Sequence, residues 1–185
     1  MNEETSHPEL NSFREASQHY LPDLVYGAND GIITTFAVVA GVEGADLPAA
    51  VVLILGVANL LADGFSMGAS DYLSIRSRSA VERMEQKRVT EPFALRHGIA
   101  TFLAFVTAGT VPLLGVMFSV PVAYRFPATV ALTLSTLFVV GAARTFVTRG
   151  RWWMEGIEMM AVGAVAAAVA YGVGALLASI TGGAG

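Results

Sequence analysis

Four aspartates fall inside otherwise apolar stretches of this chain: Asp23 and Asp30 in DLVYGANDGIITTF, Asp63 and Asp71 in NLLADGFSMGASDYL. Asn29 and Asn59 lie beside them, and Met67 stands between the last two. Ionisable groups inside a bilayer are costly, so each is a candidate for function. No Lys or Arg occurs from Leu21 to Ile75 to neutralise them. Carboxylate and amide oxygens suit hard cations, whereas a thioether is soft. The mixture fits a borderline divalent transition ion better than Mg²⁺ or Ca²⁺, which take oxygen alone. Asp23, Asp30, Met67, Asp63, Asp71 and Asn59 are therefore the candidate metal ligands. Each also has a plainer reading. Methionine fills apolar interiors, Asp30 can bond a broken helix, and Asn59 with nearby serines can hold Asp63 protonated as a packing group.

Helical periodicity sorts these residues onto faces. Asp23, Tyr26, Gly27, Asp30, Thr34, Ala37 and Gly41 share one face; Asn59, Asp63, Ser66, Met67, Ser70 and Ser74 share another. Both faces are small and polar, as a cavity wall or helix contact requires. At 1.5 Å per residue, Asp30 stands about 12 Å above Leu21, and Met67 about 13 Å above Arg76. Asp30 and Met67 are thus expected at one level, with Asp23 and Asp71 nearer the cytosolic mouth and Asp63 and Asn59 near midplane and above. Two GxxxG patterns, Gly27–Gly31 and Gly64–Gly68, permit close helix approach beside the carboxylates.

The elements that must carry these residues follow from composition. The chain has 185 residues, 54% hydrophobic and only 14% charged, with a net charge of −4 and a mean hydropathy of +0.59. Soluble domains carry about 25% charged residues. The fold class expected is an all-α integral membrane protein with five transmembrane helices. The spans fall at about Asp23–Val42, Pro48–Ile75, Gly98–Val120, Pro127–Val147 and Ile157–Ile180, each long enough for the roughly 30 Å of hydrocarbon. Residues 1–22 read as a polar cytosolic arm with a short helix over Glu9–Tyr20, residues 23–180 as the membrane domain, and 181–185 as a Gly-rich tail. Pro48 and Pro127 are expected in the first turns of their helices, and Pro112 is expected to kink the third span. Of eleven basic residues, all but Arg125 fall on one side of this scheme, so the N-terminus is expected inside and the C-terminus outside.

Cysteine is absent, which removes disulfides, zinc–thiolate sites and thiol nucleophiles. No basic patch points to a nucleic-acid partner. There is no nucleotide loop, nucleophile–base pair or haem-like histidine pair, so an enzyme is not expected, nor is a bound cofactor. The Ala, Gly, Val and Arg weighting points to a bacterial inner membrane.

The segments DLVYGANDGIITTFAVVAGVEGA and LGVANLLADGFSMGASDYLSIRS resemble the vacuolar iron transporter family, whose relatives include nodulin-like transporters and the membrane half of membrane-bound ferritin. The resemblance implies a homodimer whose first spans line a shared pathway, exporting Fe²⁺, and often Mn²⁺, from the cytosol in exchange for protons. It maps pathway roles onto Asp23, Asp30 and Met67. Independently, five short helices enclose a polar path poorly, so a dimer with Gly27, Gly31 and neighbouring small residues at or near its interface is expected. Many members insert a glutamate- and methionine-rich three-helix cytosolic domain after the second span. Here only about twenty residues, Arg76 to Arg96, occupy that connection, with Glu82, Met84, Glu85 and Glu91 as possible ligands; the simpler reading is a solvated charged turn.

His7, His19 and His97 read as bystanders, since no two have ligand spacing on one helix. Glu155 and Glu158 complement a helix N-terminus, with a role at the mouth as a secondary possibility, and Trp152 with Trp153 anchor the interface. The competing functional reading is a non-transporting membrane scaffold whose buried carboxylates fix helix pairing.

Overall fold

The computed structural model describes residues 13–87, 89, 93–118, 121–148 and 150–182. Seven helices follow one another, with no strand among the described residues: α1 Phe13–Gly44, α2 Ala49–Met84, α3 Ala94–Gly109, α4 Val111–Met117, α5 Val122–Ala143, α6 Thr145–Thr148 and α7 Trp152–Thr181. Five membrane-spanning units result, because α3 and α4 act as one: His19–Gly44, Ala49–Met84, Ala94–Met117, Ala123–Ala143 and Trp152–Thr181. The chain is a multi-pass membrane protein of helices alone.

Helix α1 is the hub, packing chiefly on α3 and α7, while α2 packs on α3 and α5 on α7. Small residues set this arrangement. A Cβ on Gly27 would lie 2.5 Å from the carbonyl oxygen of Thr101, and one on Gly31 would collide with that of Phe105. Gly68 of α2 meets Gly98 of α3 in the same way, at 2.5 Å. Between membrane helices the attraction comes from packing, so close backbone approach replaces the hydrophobic drive available in water. Both GxxxG patterns are therefore filled by α3 of the same chain. Gly27 and Gly31 themselves are covered by α3, so a second copy would meet neighbouring residues and not these two glycines.

Away from the polar faces the core is apolar. Ile32 packs with Leu137 and Met159, Phe36 and Ala40 with Ala167, and Val39 and Val42 with Leu60, Phe105 and Leu113.

The helix ends differ from the expected bounds in instructive ways. α1 already begins at Phe13 and runs through Pro22, so the arm is helical where described; residues 1–12, with His7, lie outside the described residues. α2 continues through Arg76 to Met84, replacing the turn expected there. No Gly or Pro occurs from Ala69 to Glu91 to stop it, and intrinsic propensity carries the helix on. Its 36 residues reach about 54 Å, well past the roughly 30 Å apolar layer. The third span breaks at Thr110, with Pro112 in the first turn of α4, where its missing N–H is harmless; the break lies two residues before the proline expected to kink the span. Pro48 is an N-cap. Pro127 lies inside α5, which starts earlier, at Val122; membrane helices tolerate such a proline when neighbours compensate.

Candidate metal pathway

The polar site is assembled by α3, a helix without an acidic residue. His97 and Thr101 are four residues apart and so project from one face. Nδ1 of His97 lies 2.5 Å from Oδ2 of Asp23 on α1, and with the carboxylate ionised the ring N–H donates. Thr101 Oγ1 donates to Oδ2 of Asp71 on α2 at 2.9 Å. His97 is 5% exposed, with its ring 4.8 Å from that of Tyr20 and 4.9 Å from that of His19, centroid to centroid. Asp23 is near enough to Asp71 and His19 to interact electrostatically with both. His97 is thus no bystander. Histidine-to-histidine spacing along one helix carried no signal for it, because its partners sit on another helix, α1.

A second pair lies deeper. The carboxyl groups of Asp30 and Asp63 interact electrostatically, and neither receives a hydrogen bond from the described residues; Thr34 Oγ1 donates to the backbone carbonyl of Asp30 at 2.8 Å instead. Registers against α3 explain the pairing. Gly31 sits on Phe105, and Gly64 faces Phe102, Phe105 and Val106, so Asp30 and Asp63 stand side by side along α3. Gly68 lies lower, at Gly98, and Met67 with it. Measured against α3, Asp30 stands nearer the level of Asp63 than that of Met67. Counting up from Arg76 misleads because α2 does not end there. Met67 is half-buried and packs against the apolar cluster that includes Phe105. Asn59 is half-buried, one turn beyond Asp63.

The remaining acids have other surroundings. Glu85 pairs with Lys87 at 2.7 Å, just past the end of α2, and Glu91 lies outside the described residues. Glu155, in the first turn of α7, accepts a hydrogen bond from Thr148 and lies 3.9 Å from Nε of Arg144. Glu158 is exposed, as are Trp152 and Trp153 at the start of α7. Nowhere among the described residues do three His, Asp or Glu side chains converge as a metal-binding group. One chain brings carboxylates together in twos.

Comparison with known proteins agrees with this layout. "Vacuolar iron transporter 1" of Eucalyptus grandis is 26% identical over 208 aligned positions, taking in 81% of this chain and 83% of the relative. "Vacuolar iron transporter 2" of Oryza sativa subsp. japonica is 27% identical over 216 positions, 85% of this chain and 87% of the relative. A "Vacuolar iron transporter" of Toxoplasma gondii is 44% identical over 72 residues, 39% of this chain but 24% of the relative. The longer alignments exceed this chain's length, so the plant relatives carry inserted segments that it lacks. The VIT family model matches in two pieces, residues 21–95 and 89–175, meeting in the connection between α2 and α3. Together the pieces span every helix that holds a pathway carboxylate or its α3 donor, and on this match the chain belongs to the VIT family.

Proposed function

We propose that this protein is a metal transporter that exports Fe²⁺, and also Mn²⁺, from the cytosol in exchange for protons, working as a homodimer in a bacterial inner membrane. The observation that carries this reading is the two-level set of carboxylates in membrane-spanning helices, Asp23 with Asp71 and Asp30 with Asp63, with no Lys or Arg from Leu21 to Ile75. The iron-transporter names of the relatives support iron as cargo, and the nearby thioether of Met67 favours a borderline ion over a hard one. Exchange follows from competition: protons and metal share the same carboxylate oxygens, so binding one releases the other.

The dimer is supported by what one chain leaves open. Ser66, Ser70 and Ser74 on α2 and Tyr26 on α1 are exposed beside the carboxylates, a surface unsuited to lipid. Two carboxylates per level balance the charge of a divalent ion but leave most of its coordination positions to other ligands. A second copy placed on this face covers the polar stripe and doubles the ligands.

Purified protein in liposomes provides the test. Fe²⁺ flux is expected to rise with an opposing pH gradient at fixed metal concentration, and metal addition is expected to release protons. Flux indifferent to the pH gradient excludes exchange; no flux at all favours the scaffold.

Orientation and assembly are open to single cysteines, since the chain has none of its own. Lys87→Cys is expected to label from the cytosolic side and Glu43→Cys from the opposite side, both positions being exposed. Ser66→Cys or Ser70→Cys is expected to link two copies through a short bismaleimide. Labelling of Lys87→Cys only from outside overturns the N-inside topology, and monomers at both serine positions count against the dimer.

A further inference from the structure

We infer that His97, together with Thr101, is a positioning residue for the pathway's mouth, holding the carboxylates of Asp23 and Asp71 in the arrangement that receives the incoming cation. The inference rests on the reading of Asp23 and Asp71 as the mouth of a metal path, and it adds the part played by α3. Two carboxylates facing each other across α1 and α2 repel, and each has side-chain torsions free to carry it away. The α3 donors oppose both tendencies. Each binds Oδ2 of its aspartate, at 2.5 Å from His97 and 2.9 Å from Thr101, so Oδ1 of both remains for a metal. His97 is itself fixed, being 5% exposed and set edge-on to the His19 ring and tilted against that of Tyr20.

Groups that orient a metal-ligating carboxylate remove the ordering cost from the binding step, and their loss commonly weakens metal affinity or activity roughly 10–100-fold. The deeper pair, Asp30 and Asp63, has no such tether among the described residues. A preorganised mouth followed by an untethered pair gives firm capture and ready onward release. Losing the tether should therefore act on capture, seen in KM, more than on turnover.

The experiment measures initial Fe²⁺ transport against Fe²⁺ concentration in liposomes for His97→Leu, His97→Asn, Thr101→Val, Thr101→Ser and, as reference, Asp23→Asn. His97→Leu is expected to raise the apparent KM roughly tenfold with Vmax changed by no more than about twofold. His97→Asn, which keeps an N–H donor near the position of Nδ1, is expected to recover most of that loss. Thr101→Val should raise KM and Thr101→Ser restore it. If Asp23→Asn raises KM while His97→Leu does not, or if the asparagine variant is as impaired as the leucine one, the positioning role is wrong. Should His97→Leu fail to assemble, an unchanged KM in Thr101→Val is decisive against it. Asp23→Asn with wild-type KM would instead remove the mouth reading, and this inference with it.

Discussion

Asp30→Asn is expected to reduce transport of every divalent ion to background. Asparagine matches aspartate in shape, and the Asp30 carboxylate receives no hydrogen bond from the described residues, so the fold does not depend on its charge. The cation does. On the proposed pathway a divalent ion moving past midspan gives up much of its hydration, and Asp30 with Asp63 is the pair that would supply the opposing charge at that level. Removing one partner from a buried charge pair costs about 3–5 kcal/mol, a rate loss of more than about 100-fold. Fe²⁺ and Mn²⁺ should suffer alike, because the loss concerns charge and not softness. Met67→Leu is the contrasting variant. Leucine preserves the packing against the Phe105 cluster at small cost but removes the sulfur. If the thioether touches the ion, Fe²⁺ transport falls relative to Mn²⁺; Fe²⁺ transport at the wild-type rate and affinity means that Met67 is packing. Appreciable transport by Asp30→Asn, at matched protein density, would displace Asp30 from the path.

Gly31→Ala is expected to destabilise the bundle strongly, by forcing α1 away from α3. The added Cβ would meet the carbonyl oxygen of Phe105 and stand 3.0 Å from that residue's Cα and carbonyl carbon. Backbone atoms cannot rotate away, so α1 and α3 must separate. Overpacking usually costs about 1–3 kcal/mol, and here the opened contact also parts Gly27 from Thr101 and disturbs the neighbouring His97–Asp23 link, so a loss on the order of 3 kcal/mol is expected. Gly172→Ala is the control, with nothing within 4 Å of its added Cβ. It should gain up to about 1 kcal/mol from helix propensity. Thermal unfolding in detergent compares them directly; similar midpoints for the two variants would show that α1 and α3 are not packed this closely.

The sequence makes the five spans legible because apolar length is a coarse signal, insensitive to a turn more or less at either end. The carboxylates are legible for a related reason: an aspartate in a membrane helix stands out against its neighbours wherever the helix lies. Partnership is harder to read. Helical faces identify Asp30 and Asp63 as inward or polar, but pairing requires the register between α1 and α2, and that register is set by α3 lying against both. His97 illustrates the limit most clearly. Its partners Asp23, Tyr20 and His19 belong to another helix, so no spacing along its own helix could reveal them. One signal was present: a histidine and a threonine four apart in the first turns of a mostly apolar helix, polar groups that call for partners in a membrane. The GxxxG patterns were correctly read as close contacts, but a pattern names no partner, and α3 supplied one within the chain.

The overhang of α2 has a mechanical consequence. The helix runs unbroken from Ala49 to Met84, so the segment that carries Asp63 and Asp71 and the segment standing clear of the apolar layer are one stiff rod. Any rocking of α2 as a cation passes is magnified at the free end: a tilt of about 10° over about 54 Å displaces the tip by roughly 9 Å. A spectroscopic label near Glu85 and Lys87 would therefore act as a pointer, reporting from open water on motions too small to resolve at the aspartates themselves.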